Sequence, residues 1–153
     1  MARSRCARRG AKPNRRTTTG GKTPRRRSAK PCARCASGNA TYDAGAWVLD
    51  HRLIDESHLM VSAMHCRGCS HHAIKIWTEL IDWTNGDDSS ASLIVPLPAG
   101  TAVDQASLGS EFAVRALLRR LGPCPYLITC HPSGGDASPW RWCSGVPSVL
   151  PHD

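Results

Sequence analysis

The stretch HLMVSAMHCRGCSHHAIKIWTELIDW, residues 58–83, decides how this chain is read. Its first half alternates. Leu59, Val61 and Ala63 fall on one face of an extended chain, and Met60, Ser62 and Met64 on the other. Successive side chains of a strand point to opposite faces, so this period of two predicts a strand. Residues 72–83 alternate as well: Ile74, Ile76 and Leu80 share one face, opposite Lys75, Trp77, Glu79, Ile81 and Trp83. Between the runs stands Cys66-Arg67-Gly68-Cys69. Two strands joined by so short a connection run antiparallel, which puts this CxxC at the tip of a hairpin. Gly68 is the residue expected to supply left-handed backbone in the turn.

A second pair, Cys32-Ala33-Arg34-Cys35, lies 30 residues upstream. A two-residue gap lets both thiolates of a pair point at one ion while the backbone turns around it. Two such pairs make the four-cysteine ligand set of a tetrahedral zinc site, so Cys32, Cys35, Cys66 and Cys69 are predicted to hold structural Zn²⁺. The rival readings are disulfide or dithiol redox chemistry. No apolar segment follows the N-terminal charges as a secretory leader requires, so a cytoplasmic, reducing compartment is expected, which disfavours disulfides. A redox CxxC would open a helix after a strand, and this one joins two strands. His65, His71 and His72 crowd the second pair, and a site of three cysteines and one histidine is the variant if Cys32 or Cys35 does not arrive. Cys124, Cys130, His131 and Cys143 match no compact ligand spacing. Cys6 is assigned no structural role.

Outward from the hairpin, Trp47-Val48-Leu49 predicts a short strand before it. After it, Asn85-Gly86 opens a loop and Leu93-Ile94-Val95 makes another short strand. Pro96 and Pro98 stop that strand and suggest an edge position. Residues 110–121 predict the single good helix. Ser110 can cap it, Glu111 suits the positive end of its dipole, and Val114, Leu117, Leu118 and Leu121 recur at helical spacing. Gly122-Pro123 ends it. Tyr126–Cys130 and Trp140–Cys143 flank a turn-rich segment and form a hairpin candidate. The expected class is a small α+β, mostly β fold: zinc-ribbon-type antiparallel hairpins plus one C-terminal helix. The expected divisions are a basic arm over 1–31, the ribbon-containing domain over 32–121, and a poorly defined hairpin or tail over 122–153.

The charge is as unevenly distributed as the cysteines. The chain of 153 residues carries a formal +8, yet residues 1–34 hold 13 of the 20 Lys and Arg and no Asp or Glu. The remainder, with 7 basic and 12 acidic residues, is net negative. Residues 1–38 contain no Val, Leu, Ile or aromatic residue, so they cannot bury enough apolar area to offset ordering entropy and are expected to be disordered. Arg8, Arg9, Arg15, Arg16, Arg25, Arg26 and Arg27 are the candidate phosphate contacts, of a sequence-blind, salt-sensitive kind. Gly20-Gly21-Lys22-Thr23 is no phosphate-binding loop, because Arg16 stands where the pattern needs glycine. With the arm set aside, about 120 residues suit one modest domain. No apolar run of 18 residues exists, so no membrane partner is expected.

From Cys66 to Asp88 the chain resembles a family of uncharacterised bacterial proteins. The likeness rests on Cys66-x-x-Cys69, then Thr78-Glu79-x-Ile81-Asp82-Trp83 and Gly86-Asp87-Asp88, and extends back to Asp50 and forward to Pro96. It implies a small zinc-ribbon domain and adds no chemistry. Among the remaining residues, Glu79, Asp82, Asp87 and Asp88 are the densest acidic cluster; alternation separates Glu79 from Asp82, and Asp87 and Asp88 suit turn hydrogen bonds. His51 and His58 have acidic neighbours but no nucleophile in a recognisable elbow. Trp77 and Trp83 offer faces for stacking bases, against a favoured role in the core. The reading is a non-enzymatic zinc-binding module, with nucleic acid as first candidate partner through the arm. The alternatives are a protein–protein adaptor with an acidic body and a small metal-dependent enzyme.

Overall fold

The computed structural model describes Cys32, Cys35, residues 44–84 and residues 88–152. The arm with its arginines, Cys6, Asn85-Gly86 and Asp87 lie outside the described residues. A 3-10 turn at Ala44–Ala46 leads into six strands: β1 (Trp47–Asp55), β2 (Leu59–Cys66), β3 (His72–Leu80), β4 (Ser89–Pro96), β5 (Cys124–His131) and β6 (Arg141–Gly145). They form one antiparallel sheet in chain order. Two helices, α1 (Gln105–Leu108) and α2 (Glu111–Leu121), interrupt the meander between β4 and β5. The class is small α+β, mostly β, as the alternation implies.

The sheet has two differently covered faces. On the first, Leu53, Leu59, Val61, Ala63, Ile74, Ile76, Leu93 and Val95 meet Leu108 of α1 and Val114, Leu117 and Leu118 of α2. This is the larger core, and the helical stripe read from the sequence is what closes it. On the second face, Cys35, Ala46, Trp47, Met64, Cys66, Ala73, Ile94 and Leu127 form a separate cluster at one end, flanked by Trp140 and Trp142.

Several local expectations change. The strand at Trp47–Leu49 runs on to Asp55, with register shifts between Leu49 and His51 and between Arg52 and Ile54. Those irregularities break the period of two, which is why the continuation was illegible. β4 is no edge strand, for it lies between β3 and β5. The Leu97 N–H donates to the His72 carbonyl at 2.9 Å, so the imide nitrogen of Pro96 faces the β5 side. Pairing there ends at Ile94↔Leu127, and the missing N–H leaves no ladder bond unmade.

α2 has the expected cap, with the Ser110 hydroxyl accepting from the Ala113 N–H at 3.3 Å. It ends at Gly122, whose φ of 63° suits glycine. It is the one helix of more than a single turn among the described residues; the four-residue α1 precedes it, capped by Asp104 accepting from the Ser107 N–H at 2.8 Å. One turn is too short to show a helical period. Nor do residues 122–153 form a separate tail. β5 pairs with β4 across the expected break, and Val149 is buried in the main core. Arg115 of α2 donates to the Val149 carbonyl at 3.1 Å, tying that segment to the helix.

Candidate metal centre

The β2–β3 hairpin is held at its tip by backbone hydrogen bonds. The Cys66 N–H donates to the His71 carbonyl at 2.8 Å, and the Ser70 N–H to the Cys66 carbonyl at 2.7 Å. These fix a tight turn carrying Cys66 and Cys69. The left-handed residue is not Gly68 but Ser70, at φ 58°. Gly68 instead sits over the sulfurs: a Cβ there would lie 3.7 Å from Cys32 Sγ and 3.9 Å from Cys66 Sγ. The other pair is bent likewise, with the Cys35 N–H donating to the Cys32 carbonyl at 3.1 Å. The Arg67 N–H donates to the Ala46 carbonyl at 2.8 Å, anchoring the hairpin tip to the start of β1.

This geometry gathers the four cysteines. Their sulfur atoms all lie within 4.8 Å of one another, an arrangement that could hold a metal ion. Cys32 Sγ is 3.7 Å from Cys35 Sγ and 3.7 Å from Cys66 Sγ, and Cys35 Sγ is 3.3 Å from Cys69 Sγ. A tetrahedron of sulfurs at the ordinary zinc–thiolate length has edges of about 3.8 Å. A disulfide needs sulfurs at about 2.05 Å, and none of these four cysteines is disulfide-bonded. The separations are compatible with holding one ion, and none is a disulfide length.

Cys35 and Cys66 are almost wholly buried. Burial pushes both thiols above their ordinary range, and the neighbouring cysteine side chains push further in that direction. Without a cation these groups favour the protonated thiol, and binding one would displace the protons. The apolar collar of Trp47, Met64, Ala73 and Ile94 packs with Cys35 and Cys66 on the buried side of the group, while Cys32 and Cys69 are partly exposed.

The remaining sequence candidates are dispersed. Among the described residues no other His, Cys, Asp and Glu group brings three ligand atoms within 4.8 Å, so Cys124, Cys130, His131 and Cys143 form no second cluster of that kind. Cys130 pairs with Ala91 and Cys143 with Tyr126, on separate strand pairs. Glu79 meets His58 at 3.3 Å. Asp82 accepts from the Thr84 N–H and Asp88 from the Asp82 N–H, the turn chemistry expected of Asp88. Trp77 is half-buried on β3, whereas Trp83 is 83% exposed and belongs to no core, because β3 ends at Leu80. Asp50 pairs with His65 at 2.6 Å, and not with the adjacent His51. That contact joins residues 15 apart, so no local pattern signals it. Compared with protein-family models, curated proteins and solved structures, the chain matches none.

Proposed function

We propose that this chain is a non-enzymatic zinc-binding module that contacts nucleic acid. The observation that carries the zinc reading is the cluster of four sulfurs, two from each CxxC, at separations near those of a zinc–thiolate tetrahedron. All-thiolate tetrahedral sites suit zinc or iron, and a closed site with no position left for substrate suits a structural ion. Cys32, Cys35, Cys66 and Cys69 hold it and staple the upstream segment to the hairpin.

Two features support nucleic acid as the partner. The first is the acid-free basic arm. The second lies on the face of the sheet that carries the metal cluster. There a cavity of about 310 Å³ is lined by Arg52, Lys75, Ser62, Met60, Leu49 and Trp77. Arg52 meets Asp55 at 3.8 Å, while Lys75 has no ion-pair partner among the described residues. Burial, and then the nearby Arg52 guanidinium, push the Lys75 amine below its ordinary value. A phosphate placed between the two cations relieves both, and the half-buried Trp77 offers a face to a base.

The test is elemental analysis followed by salt-dependent retention of a single-stranded oligonucleotide. One zinc per chain is expected, with four thiols released only by chelator. Retention should weaken steeply with salt, fall strongly on deleting residues 1–30, and fall further in Arg52→Ser/Lys75→Ser. Metal-free protein with freely reactive thiols overturns the zinc reading. Retention indifferent to the deletion, the double substitution and salt overturns the nucleic-acid reading.

A further inference from the structure

The opposite face of the same hairpin carries another set of side chains of metal-ligating type. A cavity of about 560 Å³ is lined by Asp50, His51, His65, Ser70 and His72, with Val103 among the residues closing it. Three imidazoles and a carboxylate come together there from β1, β2 and β3. In an ordinary strand the consecutive residues Asp50 and His51 would point to opposite faces. Here a register shift falls between Leu49 and His51, and both residues line the one cavity. Bulges of this kind re-aim a side chain and are concentrated beside functional sites. Ser70, the only non-glycine residue at positive φ among the described residues, forms part of the same wall.

The register states how the histidines stand. His65 and His72 are direct cross-strand partners. His51 pairs with Ala63, two residues before His65, and so lies diagonal to it. Direct partners have Cα atoms about 4.5–5.5 Å apart, and diagonal neighbours about 7–8 Å, within reach of imidazoles converging on one ion at about 2.0–2.1 Å. Among the described residues only the four cysteines hold their ligand atoms within 4.8 Å, so binding at the histidines requires rotation of their side chains.

Asp50 supplies the feature that separates this set from scattered surface histidines. It stands 2.6 Å from His65 Nδ1. A carboxylate there accepts a hydrogen bond from Nδ1–H, and the tautomer this favours has its lone pair on Nε2, the arrangement that orients a metal-bound histidine. Cys66 belongs to the cluster on the other face, so His65 and Cys66 serve opposite sides of one strand.

We propose that His51, His65 and His72 bind a second divalent transition-metal ion, oriented through Asp50, at an open site separate from the cysteine centre. Three nitrogen donors leave a position for an exchangeable water.

The experiment is a Co²⁺ titration of full-length protein already carrying one zinc per chain. Uptake of one further equivalent is expected, with visible d–d bands and no thiolate charge transfer. His51→Ala/His72→Ala should abolish it. Asp50→Asn should keep the stoichiometry and weaken affinity about 10–100-fold. His58→Ala, outside the cavity, should change nothing. Circular dichroism and zinc content report that each variant is folded, and His51 and His72 are exposed enough to tolerate substitution. No second equivalent in the wild type, cobalt seen only as thiolate charge transfer, or uptake that persists in the double histidine variant overturns the proposal. Cobalt entering the cysteine centre would show as thiolate charge transfer, so failure of the zinc reading is distinguishable from failure of this one.

Discussion

Lys75 shows how one residue departs from what a stable sheet requires. It stands opposite Ser62 on β2 and Ile94 on β4, in a row otherwise suited to packing. Burial and Arg52 both disfavour its charged form, so the folded chain holds that proton less tightly than the unfolded chain does. The sign follows from linkage. The penalty is fully present well below the folded pKa and disappears as pH rises through the window up to the unfolded value of 10.5. Lys75→Met is therefore expected to raise the melting temperature at pH 7, with the advantage shrinking toward pH 10.5. Thermal melts of metal-loaded protein at several pH values check this. A variant less stable than wild type at pH 7 would show that the amine has a compensating interaction. Alternation had placed Lys75 on a face, but only the register brought Arg52 beside it.

At the scale of elements, α2 is the case where local sequence and tertiary role agree. Its cap, dipole charges and apolar stripe all point to the same boundaries. Ser110→Ala removes a hydrogen bond to an end-of-helix N–H and should cost about 1 kcal/mol. Leu118→Ala removes a wholly buried side chain from the main core and should cost about 2–5 kcal/mol. Denaturant unfolding of the two variants measures both. Costs of equal size would mean that α2 covers the sheet far more loosely than its burial indicates. The hairpin was legible for the same reason as α2, because its period is carried by consecutive residues. β1 past Leu49 was not, because its bulges break the alternation. β4 was legible as a strand but misplaced at an edge, since Pro96 shows a missing donor without showing which side that donor faces.

For the whole molecule, the cysteine centre joins the segment at Cys32 and Cys35 to the sheet. Structural zinc contributes on the order of 10 kcal/mol in small zinc domains. The larger core lies on the opposite face, so metal loss should affect the molecule unevenly. Cys66→Ser, or treatment with chelator, is expected to lower the melting temperature and to expose amides at the hairpin tip first, while α2 stays protected longest. Hydrogen exchange monitors this. The pH dependence changes sign with loading. Metal-bound thiolates are lost as acid protonates them, so the loaded protein weakens as pH falls. Without metal, the raised Cys35 and Cys66 thiols make the fold weaken as pH rises past the ordinary thiol value of 9.0. Identical melts with and without chelator across that range would remove the metal from the stability of the fold.

The amino-acid sequence by itself determined the parts whose signals are local. These are the hairpin, the turn that pairs Cys66 with Cys69, the capped helix, and the match between two CxxC pairs that makes a four-sulfur site chemically reasonable. Spacing within a pair constrains its thiolates, and periodicity within a run constrains its face. The tertiary structure decided which runs lie side by side and which side chains then meet. It placed β4 inside the sheet and made residues after Gly122 its fifth and sixth strands. It left Trp83 exposed, and it joined Asp50 to His65 across two strands. Those outcomes depend on strand order, register and the bulge at Asp50. Such properties arise only when distant segments pair, since a shift of one residue moves every side chain of a strand to the other face.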